Sequence, residues 1–348
     1  MSKFHHRLAR TGLITAAFAA LVLSGCGGGG GGSEDDASAP QSAGPSSIVA
    51  DPAPGTGYPA GSEEAAAFAL LNAERSHCGF GTVAQNAQLD TAARGHADYQ
   101  LINHFSSHVQ TPGRPGFTGE SSLDRVIAAG YRSPAAVYDL ITSVFGSSEL
   151  AGRGRASVRL LLSAPYHVTG MLSPTREIGI SIRSSDQVNS TATHGPRTVE
   201  QYDLALKAGL TPQLPGTADV LTYPCAGTSG TATSLRSETP NPVPGRDLFS
   251  NPIGQPVLVT IRQGRDLVIR STSVKEVGTD GLVGAAVALL PTLSAGNDPA
   301  QILGKHEAII LVDRPLRPAT SYLVAVAGTN NGEAFERSFT FTTGNDSR

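Results

Sequence analysis

Glu177-Ile178-Gly179-Ile180-Ser181-Ile182-Arg183 decides the fold class. Isoleucine returns at every second position with small or polar residues between, which sets one apolar row on one face of a β-strand. Upstream of Pro174 the apolar period is helical instead. From Ser62, with Glu63 and Glu64 in a first turn that favours acidic residues, Phe68, Leu71 and Arg75 follow at helical spacing until Gly79 and Gly81 stop the helix. A second helix is expected from near Asn86 to about Ile102, with Leu89, Ala92, Ala93 and His96 on successive turns. A short third is expected at Ser121–Ala129, with Ser121 or Ser122 as its cap and Leu123, Val126 and Ile127 facing inward. Val137, Leu140, Ile141 and Val144 place a fourth after Pro134, and a fifth spans about Ala156 to Leu162. Downstream, Val199 to Leu206 reads as a second strand. Helices followed by strands within some 150 residues predict an α+β class.

Farther along the chain the helical period disappears. Thr239-Pro240-Asn241-Pro242-Val243-Pro244-Gly245 is a stiff connection. Short strands then recur at Val257–Arg262, Leu267–Ser271, Ala308–Val312, Tyr322–Ala327 and Phe335–Thr343, with turn signals between them. That spacing predicts an all-β sandwich. The resulting plan is a mixed domain at 61–214, a Pro-rich connection at 215–246 and a β-sandwich at 247–348.

Toward the N-terminus, residues 1–25 read as a secretory signal. Lys3, Arg7 and Arg10 precede a short apolar run, Leu13 to Leu23, too short to span a ~30 Å hydrocarbon core. Leu23-Ser24-Gly25-Cys26 resembles the lipobox of bacterial lipoproteins, which implies cleavage before Cys26 and lipidation of its thiol. An ordinary cleaved signal with an incidental cysteine is the alternative. Gly27 after the cysteine resembles the pattern that sorts Gram-negative lipoproteins to the outer membrane. Residues 26–60, with six glycines directly after Cys26 and rich in Ser and Pro, read as a flexible tether with a reach of roughly 30 Å.

Cleavage leaves 23 basic against 29 acidic residues, and no basic face is concentrated enough for a nucleic-acid partner. Only one apolar run could approach a membrane span, which excludes a multi-span membrane protein. Cys78 and Cys225 are the remaining cysteines; in an oxidising compartment a disulfide between them is expected, with two buried free thiols as the alternative.

The helical half resembles a bacterial CAP domain, the fold of cysteine-rich secretory proteins, antigen 5 and plant pathogenesis-related 1 proteins. Seven segments carry the resemblance, in order, over roughly residues 62–206. They are Leu71-Asn72-Ala73-Glu74-Arg75; Ala92-Ala93-Arg94-Gly95-His96-Ala97; His104-Phe105-Ser106-Ser107-His108; and Ser122 to Tyr131. Glu149-Leu150-Ala151-Gly152, Leu162-Ser163-Ala164-Pro165-Tyr166-His167 and Glu177-Ile178-Gly179-Ile180 complete the set. The resemblance implies a CAP-type α-β-α sandwich. The C-terminal part is similar to bacterial immunoglobulin-like domains through Pro315–Tyr322 and Phe339-Thr340-Phe341-Thr342-Thr343.

CAP domains are implied to gather two His and one or two Glu in a cleft. Carried over by position, these are His108, Glu149 and His167, the candidate catalytic and ligand-binding residues. Two imidazoles and a carboxylate could hold Zn²⁺ or another divalent ion, with His108 and His167 as metal ligands, or could transfer protons. A hydrogen-bonded network that only fixes loops is the plainer reading. The pattern is incomplete: Ser148 replaces a Gly, Leu150 an Asn and Leu162 a Trp, and Glu120 lies before the third helix.

No Gly-x-Ser-x-Gly elbow, P-loop or dinucleotide fingerprint occurs. Arg153, Arg155 and Arg159 form a small basic cluster on a helix start. The expectation is a lipid-anchored cell-envelope module, at the outer membrane, that binds a small-molecule, lipid or envelope ligand in the CAP cleft. The alternatives are a metal-dependent hydrolase of peptide or cell-wall bonds using His108, Glu149 and His167, and a structural envelope protein with a vestigial cleft.

Overall fold

A computed structural model of the chain describes residues 55–188 and 195–345. The expected signal at 1–25, the lipidated Cys26 and the tether up to residue 54 lie outside the described residues. Within them the chain is α+β, with five α-helices and three β-sheets.

Helix α1 (Glu63–His77) starts where Ser62 Oγ accepts the Ala65 N–H at 3.1 Å. Helix α2 (Ala87–Asn103) is capped by the Asn86 side chain. In α3 (Ser122–Ala128), Ser121 and Asp124 form a reciprocal capping box. Helix α4 (Arg153–Leu162) and helix α5 (Pro165–Met171) follow, the latter with Pro in its first turn. Helix α5 has no counterpart in the expected elements.

The first sheet contains β1 (Ala84–Gln85), β2 (Pro134–Phe145), β3 (Glu177–Ser184) and β4 (Arg197–Lys207), in the order β1-β3-β4-β2. The expected fourth helix is therefore the twelve-residue strand β2. The reason is physical. Apolar positions 137, 140, 141 and 144 match a helix stripe, but in this strand Leu140 packs on one face and Val137 and Ile141 on the other, so its apolar residues do not alternate. Its β-branched and aromatic content (Val137, Tyr138, Ile141, Thr142, Val144, Phe145) favours the strand. A second correction falls on α3: Val126 is buried, but Leu123 and Ile127 are 45% and 53% exposed.

Register assigns the two faces. Antiparallel pairing sets Asp139 opposite Asp203, Leu140 opposite Tyr202 and Ile141 opposite Gln201. Even-numbered Leu140, Tyr202 and Leu204, with Ile178, Ile180 and Ile182, pack into the core that contains α1, α4 and α5. Odd-numbered Val137, Ile141, Val199 and Ala205 pack instead against α2 and α3. The helices thus sandwich the sheet. Gly179 faces α2 so closely that an added Cβ would lie 2.0 Å from the Leu89 carbonyl carbon.

The C-terminal strands are β5 (Leu221–Tyr223), β6 (Ser229–Thr231), β7 (Val257–Thr260), β8 (Leu267–Val277), β9 (Val283–Ala286), β10 (Leu293–Ser294), β11 (Glu307–Ile310), β12 (Ser321–Asn330) and β13 (Glu333–Thr343). They form a four-stranded sheet, β10-β11-β7-β5, and a five-stranded sheet, β6-β13-β12-β8-β9. Segment 215–246 supplies β5 and β6, so it contributes a strand to each sheet. Val257, Val259, Ala308 and Ile310 face Tyr322, Val324, Val326 and Phe341 in one core. The opposite side of the smaller sheet, through Leu258 and Ile309, joins the core under α4 and α5. These described residues belong to one compact unit.

The expected disulfide is present between Cys78 and Cys225, with a Cα–Cα distance of 5.6 Å.

Candidate functional site

His108 lies in the loop between α2 and α3, on the sheet face that carries the odd-numbered residues of β2 and β4. That loop is held by its carbonyls. Arg197 Nη1 donates to Phe105 O at 3.1 Å, and Arg125 Nη1 donates to His108 O at 3.1 Å. His96 Nε2 donates to Ser107 O at 2.8 Å, while its Nδ1 accepts from Gln110 Nε2 at 3.0 Å. Burial lowers the His96 pKa to about 4, so this imidazole stays neutral and structural.

His108 Nδ1 donates to Asp139 Oδ2 at 2.9 Å. The same oxygen accepts from Arg125 Nη2 at 3.0 Å. Asp139 Oδ1 accepts from the Gln201 amide, which also donates to Asp203 Oδ1 at 3.1 Å. Arg125 is fully buried and the Asp139 side chain is 6% exposed, whereas the His108 side chain is 51% exposed. A buried acid thus fixes the orientation of a half-exposed imidazole and leaves its Nε2 toward solvent.

The two carboxyls are driven apart. Burial raises the Asp139 pKa, but the His108 hydrogen bond and the Arg125 charge outweigh it and hold the group down at about 2. Asp203 is raised well above the carboxylate range, first by burial and then by the charge of Asp139. The Asp139 hydrogen bond raises the His108 pKa against the opposing effect of burial. Pairs of acids separated in this way recur where proton affinity is put to use.

The other two expected site residues stand elsewhere. Glu149 is exposed in the turn before α4, where its Oε1 accepts the Ala151 N–H at 2.9 Å. His167 lies on α5, and its Nδ1 meets Glu238 Oε1 at 3.1 Å. Glu238 also accepts the Tyr166 N–H at 2.7 Å, so the pair secures the start of α5 to the segment after β6. Helix α5 covers the even-numbered face, where Gly170 meets Leu140, while His108 meets odd-numbered Asp139. The sheet therefore separates the two histidines. His108, Glu149 and His167 do not fit a shared metal, and no group of three or more His, Cys, Asp or Glu among the described residues is placed to hold one.

Sequence reasoning misses Asp139, Asp203, Gln201 and Arg125. A signal exists in β4, where Glu200, Gln201 and Asp203 stand among the apolar Val199, Tyr202, Leu204 and Ala205. Acidic residues are depleted in buried strands and call for partners. Glu200 finds Thr142 and Arg153, the latter at 2.9 Å. Arg159 pairs with Glu74 at 2.8 Å, so two of the three cations at the α4 basic cluster are matched within the fold.

No protein-family model matches the chain, and no curated protein matches it. Among solved structures it is similar to an outer surface protein from Borrelia burgdorferi, at 14% identity and a TM-score of 0.31. That likeness covers 42% of this chain and 92% of the other. No helix among the described residues is long and apolar enough to cross a membrane.

Proposed function

We propose that the chain is a CAP-type cell-envelope module, lipid-anchored through Cys26, that binds an envelope ligand on the face around His108, and that its C-terminal sheets form an immunoglobulin-like spacer. The observation that carries the binding role is the half-exposed His108 imidazole, held at Nδ1 by buried Asp139 and free to meet a ligand through Nε2. The helix-sheet-helix layering and the seven ordered segments favour the CAP reading. The Cys78–Cys225 disulfide suits an oxidising compartment. Two sheets that share an apolar core favour the immunoglobulin-like reading.

The binding role is tested by co-sedimenting the full-length protein with purified peptidoglycan sacculi and with phosphatidylglycerol vesicles. Vesicle binding through the anchor is controlled with Cys26→Ser. Retention of Cys26→Ser by one of these probes, and its loss in Cys26→Ser/His108→Ala, is expected. Equal retention of both variants, or of neither, would remove His108 from the function.

A further inference from the structure

When His108 is protonated, the site around it carries an excess positive charge. The titratable and charged groups that face it are His96 from α2, His108 from the loop, Arg125 from α3, Asp139 from β2 and Asp203 from β4. Arg125 is a cation, and Asp139, which accepts from both Arg125 and His108, is its counter-ion. His96 is neutral, with both ring nitrogens engaged inside the fold. The sign of the remaining balance depends on Asp203.

Asp203 is fully buried and sits directly across the strand pair from Asp139, where two negative charges would repel. Its Oδ1 accepts one hydrogen bond, from Gln201, and its Oδ2 has no partner. An ionised carboxylate with one bare, buried oxygen is strongly disfavoured, while a protonated one carries no charge to solvate. With Asp203 neutral, Arg125 and Asp139 cancel, so His108, once protonated, adds one net positive charge on a half-exposed side chain.

We infer that the Arg125–Asp139–Asp203 cluster makes His108 an oxyanion-binding group, whose ligand presents a carboxylate or phosphate to Nε2–H. This rests on the ligand-binding reading of the His108 face and specifies its chemistry. Asp203 acts as a positioning residue: by staying neutral it prevents the cluster from neutralising its own cation. Asp139 and Arg125 orient the ring without touching the ligand.

The test is a ¹⁵N and ¹³C NMR titration of the full-length protein near neutral pH, following the His108 ring and the Asp203 carboxyl carbon. The probes are inorganic phosphate and acetate, with phosphatidylglycerol and phosphatidylcholine vesicles as separate arms. Asp203 is expected in its acid form, and phosphate or acetate should shift His108 Nε2 in a saturable way. His108→Gln should weaken that binding roughly tenfold or more, and Asp203→Asn should preserve it. Preferential binding of the glycerol lipid would place the oxyanion on a headgroup; response to free phosphate alone would make it a soluble ligand, and either supports the inference. Ionised Asp203, or His108 shifts equal for phosphate and chloride, would overturn it. Loss of free-anion binding while sacculi still require His108 would overturn the oxyanion chemistry and leave the docking role standing.

Discussion

Asp139 carries more of the polar site than any other residue, because it is the counter-ion of fully buried Arg125 and the partner of His108. Asp139→Ala would strand the guanidinium in the interior, and a loss of about 3–5 kcal/mol in denaturant unfolding is expected. The pH dependence has separable signs. The Asp139 contribution is present above the ordinary carboxylate pKa and is lost as pH falls toward about 2. The contribution of His108, whose pKa is raised, is complete below about 6.5 and fades as pH rises through its folded value. Asp203 works oppositely to Asp139. Folding takes up its proton, so stability declines as pH rises from the carboxylate range toward its raised pKa. Asp203→Asn should flatten that decline in unfolding curves measured at several pH values; an unchanged slope would mean that Asp203 ionises in the fold.

Among the elements, legibility follows how regularly the apolar residues recur along each one. Helices α1, α2 and α3 are readable because Ser62, Asn86 and Ser121 cap them. Strand β3 is readable from its isoleucine alternation, though its other face is also covered. Strand β2 reads as a helix because its apolar residues fall on both faces instead of alternating, and Asp139 is lost with it. His108 can be found from its local segment, but its partners come from strands distant in sequence, which no spacing along the chain reveals. The contact of α2 with β3 yields a direct prediction. Gly179→Ala would drive a methyl into the backbone at Leu89 and Asp90, where neither atom belongs to a flexible side chain. A loss of about 3 kcal/mol is expected, seen as a lower unfolding midpoint. An unchanged midpoint would show that α2 can shift from the sheet freely.

Across the whole described unit, the smaller C-terminal sheet faces two ways, toward the larger sheet through Val257 and Val259 and toward α4 and α5 through Leu258. The Cys78–Cys225 bond joins the end of α1 to the segment after β5, 147 residues on. Closing a loop of that length is worth about 5 kcal/mol in the chain-entropy picture. Cys78→Ser/Cys225→Ser should lose stability of that order on chemical denaturation, and a loss under about 1 kcal/mol would mean the cores alone fix this geometry. The central claim is that His108 answers to Asp139 and not to Glu149 and His167. It is tested most directly by titrating the His108 ring by NMR in the wild type, Asp139→Asn, and Glu149→Gln/His167→Ala. A His108 pKa that falls in Asp139→Asn and stays at its wild-type value in the double variant is predicted. A pKa that moves in the double variant and not in Asp139→Asn would contradict the account.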